Sequence, residues 1–145
     1  MQSVSILIVD SFKPFREVLC DIIAGSTSLP HLRIFNEAND GIEAVEKAEE
    51  LRPDLIVLDV TLPRLDGIQV ARQIRAKITE TKILFVSQQH SPALVRKALS
   101  VGAHGYVIKS EIALELLYAV HAVMRGQRYI SGRVKHCDLT DLCDT

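Results

Sequence analysis

The sequence has no marked excess of charge and no long apolar run. Its 17 Lys and Arg residues against 18 Asp and Glu give a formal net charge of -1. Because the basic residues are spread along the chain, we expect no nucleic-acid contact by this chain itself. No apolar stretch approaches the length of a membrane span, and no basic segment followed by an apolar one opens the chain. We therefore expect no membrane contact and a cytoplasmic location.

Patterns typical of metal sites and common enzymes are also missing. Cys20, Cys137 and Cys143 are odd in number and lack paired spacing, so Cys20 is interpreted as a small apolar core residue and the other two as structural or incidental. The five histidines do not pair at ligand spacing. The chain also has no Gly-rich phosphate loop, dinucleotide fingerprint or Ser-His-Asp pattern. These absences weaken the case for an NTPase or a hydrolase.

Short apolar runs alternate with segments whose apolar residues recur at helical spacing. Strands that are apolar throughout are expected where helices cover both faces of a parallel sheet. The pattern predicts an α/β fold, a doubly wound five-stranded parallel sheet with helices on both faces, flavodoxin-like, with strand order 2-1-3-4-5. The expected strands are 4–9, 32–38, 54–59, 82–87 and 105–108, and the expected helices begin near 14, 41, 66, 92 and 111.

The ends and faces of several helices are also predicted. Asp40 with Glu43, and Asp66, have the composition of helix N-caps. Residues 1–130 are expected to form one domain, and residues 131–145 are expected to form a polar tail or linker remnant. The sequence is polar and rich in turn formers from Gly126 onward. The first helix is expected to bury Phe15, Val18, Leu19, Ile22 and Ile23.

The last helix carries a wide apolar stripe. One face must cover the sheet, and the rest of the stripe suits either further burial in the monomer or the interface of a homodimer. Both alternatives stay open. The first face holds Ile112, Leu116, Ala119 and Val123, and the stripe is widened by Leu114, Leu117, Val120 and Met124.

Three predicted strands finish in a charged residue. Asp10, Asp59 and Lys109 directly follow the apolar runs 6–9, 55–58 and 105–108. Ligands of an open parallel sheet bind outside the carboxyl ends of its strands, so these side chains can converge on one crevice, as a phosphoryl site requires. Each also has a plainer interpretation, as a loop or capping carboxylate or a solvated lysine.

Several motifs carry a resemblance. ILIVD at 6–10, NDGIEA at 39–44, DLIVLD at 54–59, LPRLDG at 62–67, Ser87 and GAHGYVIK at 102–109 closely resemble, in this order, the receiver domain of two-component response regulators. The match covers residue 4 to about residue 130. The ending MRGQRYIS at 124–131 is most like the branch whose receivers precede a helix-turn-helix output domain.

The resemblance implies a phosphoacceptor and a metal site. Asp59 would be phosphorylated by a sensor histidine kinase, and a carboxylate is a suitable nucleophile for an aspartyl-phosphate. Asp10, Asp59 and the backbone carbonyl of Thr61 would bind Mg²⁺. The family usually has a second acid immediately after the position of Asp10, whereas this chain has Ser11, a weak or water-mediated ligand. Metal affinity is therefore expected to fall.

The resemblance also assigns a switch. Lys109 would pair with Asp59 and then with the phosphoryl group, and the hydroxyl of Ser87 would contact that group. Tyr106 occupies the aromatic switch position, although a Tyr on an apolar strand is also an ordinary core residue. Phosphorylation would thereby change a protein-interaction surface and control transcription. DNA would be contacted only through an output domain absent from this chain, unless the receiver acts by binding another protein.

Two other functions remain open. The loss of the second acid at Ser11 suits a receiver-like interaction module that works without phosphorylation. The fold class also suits a small flavodoxin-like enzyme or cofactor carrier, which would retain a bound chromophore or substrate.

Overall fold

The computed structural model describes residues 3–26 and 31–135. Strands and helices alternate along the chain, as the apolar periodicity predicts. The strands are β1 (Val4–Val9), β2 (Leu32–Ala38), β3 (Leu55–Leu58), β4 (Lys82–Ser87), β5 (Gly105–Ile108) and β6 (Tyr129–Ile130). The α-helices are α1 (Lys13–Ala24), α2 (Gly41–Leu51), α3 (Gly67–Lys77), α4 (Pro92–Ser100), α5 (Ile112–Met124) and α6 (Gly132–Lys135), with a 3₁₀ turn at Lys109–Glu111.

The strands form one parallel sheet in the order β2-β1-β3-β4-β5-β6. The predicted order 2-1-3-4-5 and the α/β class are confirmed. The predicted number of five strands is too low, because β6 pairs with β5 beyond the expected edge. The order reverses direction between β1 and β3, which places the crevice at the carboxyl ends of these two central strands.

Helices cover both faces of the sheet, as predicted. Successive side chains of a strand point to opposite faces. In β1, Leu7 and Val9 pack with the residues of α2, α3 and α4, whereas Ile6 and Ile8 pack with those of α1 and α5. Strands β3 and β5 are buried along their whole length. The two apolar layers hold the central strands, and so their carboxyl ends, in fixed register.

The predicted helix caps are present. The Asp40 carboxylate accepts the backbone N–H of Glu43 at 2.8 Å, and the Glu43 side chain accepts the backbone N–H of Asn39 at 2.8 Å. Asp66 likewise accepts the backbone N–H of Gln69 at 3.0 Å. Asp40 and Asp66 each satisfy a donor that the first turn of a helix leaves free, and Glu43 binds the backbone just before the cap.

Two predictions for α1 are wrong. Val18 is 42% exposed, because the helix turns only Leu19 and Ile23 fully toward the sheet. Cys20 is half-buried rather than a core residue, and its thiol lies 4.0 Å from a carboxylate oxygen of Glu37. Burial, with the Glu37 charge next in size, raises the pKa of this thiol. Cys137 and Cys143 lie outside the described residues.

Helix α5 buries the predicted face. Val120 of the wider stripe is also fully buried, whereas Leu114 and Tyr118 are each 72% exposed. Burial in the monomer thus accounts for part of the stripe, and the homodimer stays a prediction. The buried face of α5 consists of Ile112, Leu116, Ala119 and Val123.

In the part of the chain that the structure describes, no helix is both long and apolar enough to cross a membrane.

Ordered structure continues past the predicted domain end at residue 130. Strand β6 and helix α6 occupy 129–135, and Val134 is fully buried. The predicted domain end at residue 130 therefore lies between β6 and α6. The remaining ten positions, 136–145, lie outside the described residues.

His104 gives the fold a specific acid sensitivity. Its Nδ1 accepts the backbone N–H of Ile83 at 3.1 Å, which requires a neutral ring nitrogen. Burial, together with the smaller effects of the Arg75, Lys82 and Arg128 charges, lowers the pKa of His104 from 6.5 to about 4. The folded state therefore binds fewer protons than the unfolded state between these two pH values. Stability is expected to fall as the pH drops through this window.

Urea denaturation of His104→Asn tests this sensitivity, because an Asn side chain can keep the acceptor without titrating. Between neutral pH and about pH 4.5, the wild type is expected to lose about 2 kcal/mol more unfolding free energy than the variant. His121→Asn, at an exposed position, serves as the matched control and should behave as the wild type. Equal losses in wild type and His104→Asn would contradict the assignment.

Candidate phosphoacceptor site

Two carboxylates lie side by side at the centre of the sheet edge. Val9 and Leu58 are in register, so Asp10 and Asp59 follow adjacent strands at the same level. The backbone N–H of Asp59 donates to the carbonyl of Val9 at 3.0 Å, which continues the strand pairing up to the carboxylates. Asp10 is 2% and Asp59 7% exposed. Their placement follows from the two apolar strands that precede them.

Lys109 joins the two carboxylates. Its Nζ lies 2.7 Å from Oδ2 of Asp10 and 3.1 Å from Oδ2 of Asp59. The same ammonium lies 4.4 Å from the ring centroid of Phe15 on α1, within the range of a cation–π contact. The structure thus brings together the three charged residues predicted from the strand ends.

The second oxygen of each carboxylate accepts a backbone amide. Oδ1 of Asp10 accepts the N–H of Phe12 at 2.8 Å, and Oδ1 of Asp59 accepts the N–H of Thr61 at 3.2 Å. Such bonds to the amide two residues on are characteristic of Asx turns, and they fix the direction of both side chains.

Burial sets the electrostatics of the site. It raises the pKa of the Asp59 carboxyl, and the negative charge of Asp10 raises it further, whereas Lys109 opposes both effects. Two buried negative charges thus face one positive charge. Such a site favours the binding of additional positive charge, because each buried carboxylate is incompletely compensated.

The carboxylates open into a cavity of about 300 Å³. Ser11 and Thr61, the other two predicted metal-site residues, line the same cavity and are exposed. Among the described residues, no cluster of three or more His, Cys, Asp or Glu side chains could hold a metal ion. Because Ser11 stands where the family usually has a second acid, the residues that line this cavity include two carboxylates, Asp10 and Asp59, and no third.

The residues nevertheless suit Mg²⁺. This ion is commonly held by one or two carboxylates together with water and phosphate oxygens, and Asp10 and Asp59 provide such a pair. Ser11 and Thr61, which carry neutral oxygens, line the same cavity. Receiver domains generally bind Mg²⁺ at their phosphorylation site.

Ser87 and Tyr106 lie behind the cavity rather than in its wall. Both are buried, at 1% and 0% exposure. The Tyr106 hydroxyl donates to the backbone carbonyl of Gln89 at 2.6 Å, and the backbone N–H of Gln89 donates to Oγ of Ser87 at 3.1 Å. Burial raises the pKa of the Tyr106 phenol, so it remains a proton donor. Tyr106 is therefore both a buried core residue and a neighbour of the site.

Sequence reasoning missed Gln89 and the role of Phe15. Gln89 bonds both switch residues, and its side-chain amide donates to Oγ1 of Thr61 at 3.3 Å. It stands in a polar loop with no motif that would single it out. Phe15 was expected only as an apolar helix residue, whereas its ring also faces the Lys109 ammonium.

Known proteins resemble this chain in sequence. The family model of the response regulator receiver domain matches residues 6–121. The transcriptional regulatory protein DegU of Brevibacillus brevis is 32% identical over 133 residues, which cover 92% of this chain and 55% of DegU. The chemotaxis protein CheY of Listeria monocytogenes is 32% identical over 115 residues, covering 79% of this chain and 93% of CheY. The chain thus spans little more than half the length of DegU.

Solved structures share the fold. A two-component response regulator of the LuxR family from an Aurantimonas species superposes with a TM-score of 0.89 at 30% identity, covering 99% of this chain and 100% of the other. The family model, the sequence relatives and the fold agree over most of the chain. This chain therefore belongs to the response regulator receiver domain family of two-component systems.

Proposed function

We propose that this chain is the phosphoacceptor of a two-component phosphorelay and takes a phosphoryl group from a sensor histidine kinase on Asp59. The observation that carries the proposal is the joint contact of Lys109 with Asp10 and Asp59, at 2.7 and 3.1 Å. A nucleophilic carboxylate, a second carboxylate and a mobile ammonium are the groups that phosphoryl transfer to an acid requires. Receiver domains interact with histidine kinases in general.

The chemical step uses one oxygen of Asp59. This oxygen attacks the phosphorus of a phosphohistidine, a new O–P bond forms, and the P–N bond breaks with the electron pair returning to the imidazole of the kinase. Lys109 already touches Asp59 and has a flexible stem, so its ammonium can follow the charge onto the phosphoryl oxygens. No turnover of a separate substrate is involved, and response regulators are generally regulators rather than enzymes.

Asp10, Asp59 and the carbonyl of Thr61 would hold Mg²⁺, with Ser11 as a weak or water-mediated ligand. When bound, the ion neutralises the charge on the transferring phosphoryl oxygens. Asp10 is fixed for this role by the N–H of Phe12 and by the guanidinium of Arg16, which donates to its backbone carbonyl at 2.6 Å. Hydrogen bonds within the chain thus orient both carboxylates before an ion binds.

Restoring an acid beside Asp10 is expected to tighten metal binding. Ser11 lines the cavity, so the carboxylate of Ser11→Asp would add a charged ligand close to the ion. We expect Mg²⁺ affinity to rise about tenfold or more in titration calorimetry without phosphodonor. The readout is the dissociation constant of the metal alone.

Gln127→Glu is the matched control for Ser11→Asp. It adds the same charge at an exposed position after α5 and outside the cavity. Its Mg²⁺ affinity should equal that of the wild type. If both variants bind Mg²⁺ equally tightly, position 11 does not face the metal and its assignment fails.

The switch would run from Ser87 to Tyr106. The hydroxyl of Ser87 contacts the phosphoryl group in this proposal, and its bond with the N–H of Gln89 links that contact to the Tyr106 hydroxyl. The changed surface would control transcription through a helix-turn-helix output domain, and the protein would act in the cytoplasm. Relatives named as transcriptional regulators support this output.

Intact mass spectrometry after treatment with acetyl phosphate and Mg²⁺ tests the proposal. One added phosphoryl group per chain is expected, and its loss in mild base would identify an acyl phosphate. An unchanged mass would favour the interaction module that works without phosphorylation. A coloured preparation or a ligand retained through purification would instead favour a cofactor carrier.

A further inference from the structure

The ammonium of Lys109 has a third contact, with a partner that carries no charge. Its Nζ lies 4.4 Å from the ring centroid of Phe15, in addition to its contacts with Asp10 and Asp59. The face of an aromatic ring is the negative end of its quadrupole and attracts a cation at this distance. The Lys109 side chain is only 13% exposed, so the attraction is weakly screened by solvent. Two carboxylates and one ring thus surround the ammonium.

The fold fixes the ring of Phe15 in this place. Phe15 lies in the first turn of α1, where its backbone N–H donates to the carbonyl of Phe12 at 3.0 Å. The N–H of Phe12 in turn donates to Oδ1 of Asp10. The Phe15 side chain also packs against the apolar layer that contains the buried residues of α1 and α5. The turn that orients Asp10 and the core behind it therefore both determine where the ring lies.

The side chain of Lys109, in contrast, borders open space. Lys109 and Phe15 both line a cavity of about 520 Å³ beside the carboxylates. A lysine side chain has a flexible stem and loses much rotamer entropy when its ammonium is held in one place. Each contact of the ammonium therefore helps to keep it at the site rather than in this cavity.

The carboxylate contacts of Lys109 use the oxygens that a metal ion needs. Oδ2 of Asp10 and Oδ2 of Asp59 pair with Lys109, and the Oδ1 atoms accept backbone N–H groups. Mg²⁺ held by these carboxylates would compete with the ammonium for them, and two positive charges repel. Because Ser11 supplies no second acid, the competition falls on these two carboxylates alone. The ring of Phe15 has no oxygen ligand to offer Mg²⁺, so this contact is free of the competition.

We propose that Phe15 is a positioning residue, whose ring keeps the Lys109 ammonium at the site while Mg²⁺ occupies the carboxylates. The ammonium then stays within reach of a phosphoryl group on Asp59, and Phe15 acts only through Lys109. The effect on phosphoryl transfer rests on the proposed phosphoacceptor function. The contact between the ring and the ammonium does not.

Proton NMR tests the contact, because protons above the face of an aromatic ring resonate upfield. The ε-protons of Lys109 are expected upfield of those of the exposed Lys77, and they should stay there when Mg²⁺ is added to saturation. Phe15→Leu keeps an apolar side chain without a ring, so the upfield shift should vanish. Tyr129→Leu is the matched control and should preserve the shift, since it removes a ring from the same apolar layer at the other end of β5.

Two results of this experiment would overturn the proposal. The first is a Lys109 shift in the wild type that returns to the range of exposed lysines when Mg²⁺ binds. The second is a shift that persists although titration calorimetry detects no Mg²⁺ binding, because the carboxylates would then never be taken from Lys109.

The rate of labelling by acetyl phosphate and Mg²⁺ measures what the contact does. Phe15→Leu is expected to be phosphorylated about fivefold more slowly than the wild type, and Tyr129→Leu at the wild-type rate. Mono-, di- and trifluorophenylalanine at position 15 keep the ring and its packing but withdraw electron density from its face. The rate should therefore fall stepwise with each added fluorine.

The fluorinated series separates positioning from packing, and it remains informative if Phe15→Leu does not fold. Equal rates across the series would mean that Phe15 acts only as a core residue, and the proposal would fail. If the wild-type chain takes no phosphoryl group, the phosphoacceptor function fails instead, and the Lys109 shifts still decide whether Phe15 holds the ammonium.

Discussion

Asp59→Asn is expected to abolish phosphoryl labelling completely. An amide keeps the shape of the carboxylate but is not a nucleophile toward phosphorus, so no acyl phosphate can form. Asp10 remains nearby, but in the proposed site its carboxylate holds the metal ion and does not accept the phosphoryl group. Intact mass after acetyl phosphate treatment should therefore change from nearly full labelling in the wild type to none.

Asp66→Asn provides the matched control. Asp66 is an exposed carboxylate that caps α3, and an Asn side chain also caps helices well. Labelling of this variant should equal that of the wild type. A phosphoryl adduct that persists in Asp59→Asn would place the acceptor at another residue and refute the assignment of Asp59.

The convergence of the charged residues was predictable because it depends on strand order alone. Once three apolar runs are parallel strands of one sheet, their carboxyl ends share an edge, and Asp10, Asp59 and Lys109 must lie there. Helix starts were predictable for a similar reason. A cap such as Asp40 depends on residues three positions apart, which the sequence displays directly.

The bonds behind the cavity were not predictable. Gln89 acts mainly through its backbone carbonyl and amide, and every residue type has these groups. The pairing of Glu115 with Ser131 joins residues sixteen positions apart, without any periodic pattern. Tertiary packing selects such contacts after the elements are in place.

Strand β6 and helix α6 escaped prediction because their sequence signals are short and their surroundings polar. Strand β6 has two residues, Tyr129 and Ile130, too few to show alternation. Val134 is an isolated apolar residue that is buried only because it packs into the apolar layer that contains Tyr106. Val18 shows the opposite error, since helical spacing placed it on the apolar face of α1, of which the structure fully buries only Leu19 and Ile23.

Gly67→Ala is expected to destabilise the fold strongly. In the sequence, Gly67 stands out only as the last residue of the LPRLDG motif at 62–67. In the structure, a Cβ at this position would lie 2.1 Å from the carbonyl oxygen of Asp59 and 2.8 Å from Cα of Val60. Both neighbours are backbone atoms, which cannot rotate away. We expect a loss of at least about 3 kcal/mol in the free energy of unfolding by urea.

Gly132→Ala separates this clash from a general effect of replacing glycine. A Cβ there would meet only a side-chain oxygen of Glu115 at 3.6 Å, an ordinary contact, so the unfolding free energy should stay close to that of the wild type. Equal stability of Gly67→Ala and wild type would mean that α3 does not start against the Asp59 backbone. Because this close approach fixes the main chain on which the acceptor stands, Gly67→Ala should also lose phosphoryl labelling under conditions where Gly132→Ala retains it.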